Sequence, residues 1–145
     1  AGFALSAAQA AGVAGRIIWG LIADRYAPPR LVLGSLGLAM TVAALVVGGF
    51  APGWPYAVVV LVCIVFGGTA IAWNGVFFAQ IARYAPAGKV GELTGGATFF
   101  TYGGILLSPS LFSAILAATG SYAVGFALLA ATTLLAGLSF LRPSA

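Results

Sequence analysis

The sequence predicts an all-α fold: a polytopic membrane protein with five transmembrane helices. Three observations predict it. Five long apolar stretches fill the 145 residues. Hydrophobic residues make up 62% of the chain and charged residues 6%, with mean hydropathy +1.13. A soluble domain carries roughly a quarter charged residues to cover its surface. The gaps between the stretches also alternate in charge. The gap 24–30 holds Asp24, Arg25 and Arg30, and the gap 83–92 holds Arg83, Lys89 and Glu92. The gaps 51–56 (APGWPY) and 118–122 (ATGSY) hold none, and Arg142 lies near the end. Lys and Arg are retained on the cytoplasmic side of a bilayer. The expected topology therefore puts the charged gaps and the C-terminus in the cytoplasm, and the N-terminus and neutral gaps outside. The chain is expected to be integral to a plasma (inner) membrane.

Each span needs roughly 20 apolar residues to cross the hydrocarbon core. Backbone groups in lipid must be satisfied within their own segment, which makes helices the reading for runs this long. The first span covers about 3–24 and is dense in small residues, which let helices approach closely in membranes. The second covers about 30–50 and opens after Pro28-Pro29. Proline suits a helix start because the N–H it lacks would be unpaired there. The third, about 56–84, is long enough to tilt or project into the cytoplasm. The fourth, about 91–118, contains Pro109 as an expected kink. The fifth covers about 122–141. Polar residues mark the first, third and fourth spans, whereas the second and fifth are blander. On polarity, the first, third and fourth spans look inward and the second and fifth face lipid. The whole reads as one partial transmembrane domain, 1–145. The chain starts at Ala1, already apolar and with no basic n-region, so a signal peptide is not expected and the first residues are expected to continue something earlier.

Composition excludes several chemistries. The net charge of +4 comes from basic residues scattered singly, not massed in a stripe, so nucleic acid is not an expected partner. Cys63 is the single cysteine and there is no histidine, so neither an intrachain disulfide nor a metal site is expected. No nucleophile–base pair and no phosphate loop is present. The chain is not expected to be an enzyme, and no catalytic residue, cofactor or metal is assigned. The acids Asp24 and Glu92 sit at span edges, leaving no mid-membrane carboxylate for a proton relay.

The segment Gly20 to Arg30 (GLIADRYAPPR) resembles the signature loop of the major facilitator superfamily of transporters, G-x-L-A-D-R-x-G-R-[K/R]. Gly20, Ala23, Asp24 and Arg25 match, and Ile22 replaces the leucine. Ala27, Pro28 and Pro29 depart from the pattern, and Arg30 comes one place late. These departures are similar to the degenerate second copy of the loop. Gly15-Arg16 and Trp19-Gly20 resemble the GR…WG…DR pattern of some members. The segment 82–96 (ARYAPAGKVGELTGG) is similar to the connection between the family's tenth and eleventh helices. The resemblance implies family helices eight to twelve, part of a six-helix bundle, with the N-terminal half of the transporter as a missing partner. It implies movement of a small-molecule substrate across the bilayer by alternating access. A small helical membrane subunit or interaction module without transport activity is the alternative reading.

Candidate residues fall into two groups. Asp24 ends the first helix, where the helix dipole disfavours an acid, so it needs a cation or a helix N-terminus nearby. Arg25, Arg30, Arg83 and the start of the fourth span are the candidates, and Glu92 at that start is counted in the same charged cluster. The resemblance implies that this cluster, with Gly20 allowing a helix to approach, is a conformational latch. The bland alternative is a set of exposed topology charges, each pair worth about 0–1 kcal/mol. The substrate-contact candidates are Gln9, Trp73, Asn74 and Tyr102, since a midplane cavity needs a few polar groups on an apolar wall. Interhelical hydrogen bonding is the alternative for Gln9 and Asn74, at about 0.6–2 kcal/mol. Arg16 and Gln80 stay open. Arg16 lies about 12 Å along the helix from Asp24 at 1.5 Å per residue. Either it acts at depth, or it snorkels to the cytoplasmic interface. Glu92 is a candidate partner for Arg16 or Lys89. A positive residue at depth points towards an organic anion, and the sequence does not name the substrate.

Overall fold

The structure is a computed structural model that describes residues 2–142. Six helices follow one another: α1 (Gly2–Arg25), α2 (Pro29–Gly48), α3 (Tyr56–Ala70), α4 (Trp73–Tyr84), α5 (Val90–Thr119) and α6 (Tyr122–Leu141). No strand occurs among the described residues. They make five segments long and apolar enough to cross a membrane, with Tyr56–Tyr84 counted as one. The chain thus has the make-up of an integral membrane protein.

Local chemistry sets the ends. Pro29 is the first residue of α2, and Pro55 precedes α3. Ala85, which stands before Pro86, is extended and ends α4, because proline pushes its predecessor out of the helical region. Gly120 ends α5 in the left-handed conformation, φ 65°, with its N–H bonded to the Leu116 carbonyl at 2.8 Å. Glycine adopts that conformation without a Cβ clash. Pro109 lies inside α5, which stays helical across it. Its missing N–H would have bonded the Ile105 carbonyl, and the Ser108 hydroxyl approaches that carbonyl at 3.5 Å.

The third span differs from the expectation of a continuous helix. It breaks at Ile71-Ala72 into α3 and α4. The Ile71 N–H bonds back to the Gly67 carbonyl at 3.1 Å. Among the described residues no backbone N–H bonds the Ile71 carbonyl, so the ladder is interrupted there.

Two helix pairs pack on small residues. In α1–α3, a Cβ added at Gly15 would lie 2.6 Å from the Gly68 carbonyl oxygen, and Gly67 sits against the Ala8 backbone. In α2–α6, a Cβ at Gly37 would lie 2.6 Å from the Gly137 Cα. Thr41 and Thr133 hydroxyls meet across that interface at 3.0 Å. The pairs join where α1, α2 and α4 converge. Ala23, Val32, Leu33, Leu36 and Val76 form the core there, with Trp19, Ile22, Trp73, Phe77 and Phe140 around it.

Within this chain α2 carries the most buried residues, from Val32 to Ala44, and α5 has none. Burial within this chain follows small-residue packing, not polarity.

Candidate functional site

The charged gaps meet at one end of the bundle. Arg83, in the last turn of α4, donates from Nη2 to Asp24 Oδ1 at 2.8 Å. Asp24, unfavourably placed at its own helix C-terminus, thereby gains a cation. Both side chains are about half exposed, at 55% and 54%. Among the described residues this is the one ion pair. Arg30 is directed elsewhere: it donates from Nε to the Phe140 carbonyl at 3.3 Å and from Nη2 to the Arg142 carbonyl. These carbonyls close α6, where unpaired acceptors and the dipole favour a cation. The start of α2 is thus clasped to the end of α6. The gaps 24–30 and 83–92 and the end of α6 therefore share one end, the geometry that the charge alternation requires.

The other latch candidates are not brought into this pair. Arg25 and Glu92 are exposed. Glu92 sits in the first turn of α5, where the dipole favours an acid. It bonds neither Arg16 nor Lys89 among the described residues. A Cβ at Gly20 would meet nothing within 4 Å, so no helix among the described residues approaches there.

The second constellation lies at the break in the third span. A broken helix leaves its last carbonyls without intrahelical donors, and α1 supplies two. The Trp19 indole N–H bonds the Gly68 carbonyl at 3.1 Å. Arg16 bonds the Ile71 carbonyl through Nε at 3.3 Å. Arg16 therefore neither pairs with Glu92 nor reaches Asp24; it is held against the backbone of the neighbouring span. Its two terminal amino groups make no hydrogen bond among the described residues and are exposed in this chain. Gly75 packs against the Arg16 main chain. Beside it, Asn74 Oδ1 is buried without a donor. An unmet buried acceptor costs about 1–3 kcal/mol. Sequence reasoning noted Trp19 as part of a pattern but did not give it a partner. No proline lies between Tyr56 and Tyr84, and the Gly67-Gly68 pair is the local signal that sequence reasoning passed over.

The substrate-contact candidates are not gathered into one pocket. Trp73 packs against Phe77, their rings tilted at 58° with centroids 5.5 Å apart. Both line an apolar cavity of about 220 Å³ between α2, α4 and α6, with Leu36, Met40 and Phe140. Tyr102 is 65% exposed on α5, beside Thr98 and Phe99 in a shallow groove. Gln9 is exposed on α1, and Gln80 is half-buried.

Chemically, the break offers a planar guanidinium fixed at one edge with two N–H-bearing groups to spare. That fork matches the geometry of a carboxylate or another planar oxyanion. Among the residues inside the spans and away from their ends, Arg16 is the one basic residue.

The chain is 35% identical over 138 residues to a protein named "Probable nitrate/nitrite transporter NarK2" from Mycobacterium tuberculosis, in both strain CDC 1551 / Oshkosh and strain ATCC 25618 / H37Rv. The match covers 94% of this chain and 33% of that protein. The chain thus spans about one third of the length of the curated relatives it matches. No family model matches the chain, and no solved structure matches it.

Proposed function

We propose that this chain is most of the C-terminal half of a major-facilitator-type secondary transporter, and that its substrate is a small inorganic oxyanion of the nitrate or nitrite kind. The observation that carries the proposal is the 35% identity to a nitrate/nitrite transporter along 94% of this chain. The loop around Asp24 and the five spans agree with it.

In this reading the substrate site lies near the midplane, between this half and an N-terminal half. Secondary transporters place their sites there and reach them by rocking one half against the other. Arg16 is the anion contact. A charged group at that depth is expensive in a bilayer and is kept for a function. The Ile71 carbonyl takes one guanidinium edge, and the free amino groups face the anion. Asn74 is a second polar group of the same wall. The Asp24–Arg83 pair is part of a latch that closes the cytoplasmic end in one conformation and opens in the other. The relatives' name narrows the anion suggested by Arg16 from organic to inorganic.

A substrate panel tests this. The full-length protein carrying this chain is reconstituted and offered nitrate, nitrite, lactate and choline. Saturable uptake of nitrate or nitrite, without uptake of lactate or choline, is expected. Uptake restricted to an organic anion or a cation would refute the substrate assignment.

A further inference from the structure

We infer that Trp19 is a positioning residue for Arg16, acting through the break in the third span. The inference rests on the anion reading above for its functional consequence, but its structural half stands on the geometry alone. In an unbroken helix the Gly68 carbonyl would accept from the Ala72 N–H and the Ile71 carbonyl from the Gly75 N–H, four residues on. Neither bond is present. The Trp19 indole takes the first carbonyl and the Arg16 guanidinium the second. Trp19 and Arg16 are three residues apart on α1, so they lie on one face of it. That face packs on the third span through Gly12 against Ile71 and Gly15 against Gly68 and Ala72.

The two donors therefore do different work. Arg16 uses its carbonyl to fix the direction of the guanidinium. Trp19 has no charge and no free donor left; its N–H keeps Ala72 from closing the helix onto Gly68. An open break is what leaves the Ile71 carbonyl available to Arg16. Without the indole N–H, Ala72 and Gly75 regain their helical acceptors, the third span becomes continuous, and the guanidinium loses its anchor. Trp19 thus tunes anion affinity without touching the anion. No charge is altered, so the effect is one of orientation.

The test uses Trp19→Phe in the full-length transporter, which keeps an aromatic ring and removes the donor. Two readouts are taken. Without any anion, hydrogen exchange at the amides of residues 72 and 75 is expected to slow by about tenfold, the effect of roughly one net hydrogen bond each. With nitrate as the probe, KM is expected to rise by about three- to tenfold with kcat little changed. Adding Gly75→Pro should restore KM, because proline cannot take the Ile71 carbonyl. Gly75 lies in the first turn of α4, where proline is tolerated, and its nearest neighbours leave ordinary van der Waals room. Adding Gly75→Ala should restore nothing.

Unchanged exchange at 72 and 75 in Trp19→Phe would overturn the inference, whatever nitrate does. A KM rise that Gly75→Pro and Gly75→Ala rescue equally, or not at all, would overturn it too. If the parent protein takes up no nitrate, the anion reading fails on its own, and the anion-free exchange still decides whether Trp19 holds the break.

Discussion

At the residue scale, two arginines show how the same side chain is used differently by position. Arg83 reaches across from α4 to an acid that ends α1, whereas Arg16 reaches into a neighbouring backbone. The Asp24–Arg83 pair is half exposed, so its worth to stability is small, about 0–1 kcal/mol. A role for it must therefore appear in transport and not in folding. Asp24→Asn in the full-length protein is expected to leave membrane insertion and the melting temperature unchanged, because acids contribute little to orientation, while lowering the uptake rate. Uptake at the parent rate would reduce Asp24 to a topology-side charge. The need for a partner at Asp24 was legible in the sequence from its place at a helix end; the choice of Arg83 over Arg30 was not. That choice depends on α6, whose terminal carbonyls occupy Arg30 from more than a hundred residues away along the chain. Gln9 and Tyr102 are exposed in this chain, and polarity alone did not place them against a common cavity.

At the element scale, glycine decides which helices touch. Gly37 lies where a Cβ would fall 2.6 Å from the Gly137 Cα, a backbone atom that cannot rotate away. Gly37→Val is expected to force α2 from α6 and destabilise the protein by about 1–3 kcal/mol or more, as overpacking does. Gly104→Ala is the comparison, since a Cβ there meets nothing within 4 Å. It should be neutral or slightly stabilising, by up to about 1 kcal/mol of helix propensity. Thermal melts in detergent read both; equal melting temperatures for the two variants would refute the close α2–α6 approach. Helix ends were largely legible, because Pro28-Pro29, Pro55, Pro86 and Gly120 act through local sterics. The break at Ile71-Ala72 was not. The Gly67-Gly68 pair marks the place, but the α1 donors that meet the freed carbonyls, Trp19 and Arg16, lie about fifty residues away along the chain.

At the scale of the whole molecule, the alternation of charged and neutral gaps and the Asp24–Arg83 and Arg30–α6 contacts agree on one shared charged end. Cysteines introduced at Gly53 and Gly88, in a parent lacking Cys63, are expected to react with an impermeant thiol reagent from opposite sides of the membrane. Labelling from the same side would contradict the five-span arrangement. Fold class was legible because span length and apolarity follow from bilayer thickness. The close approach of α2 to α6 was not, because it depends on Gly34, Gly37 and Gly137 meeting across distant parts of the sequence. The central claim is that the protein carries a small oxyanion past Arg16, and nitrate uptake into proteoliposomes by the full-length protein and its Arg16→Leu variant tests it most directly. The variant, matched to the parent in folding and insertion, is expected to lose about 1.5–3 kcal/mol of charge-assisted hydrogen bonding, roughly ten- to a hundredfold in kcat/KM. Saturable nitrate uptake by Arg16→Leu with the kcat/KM of the parent would contradict it.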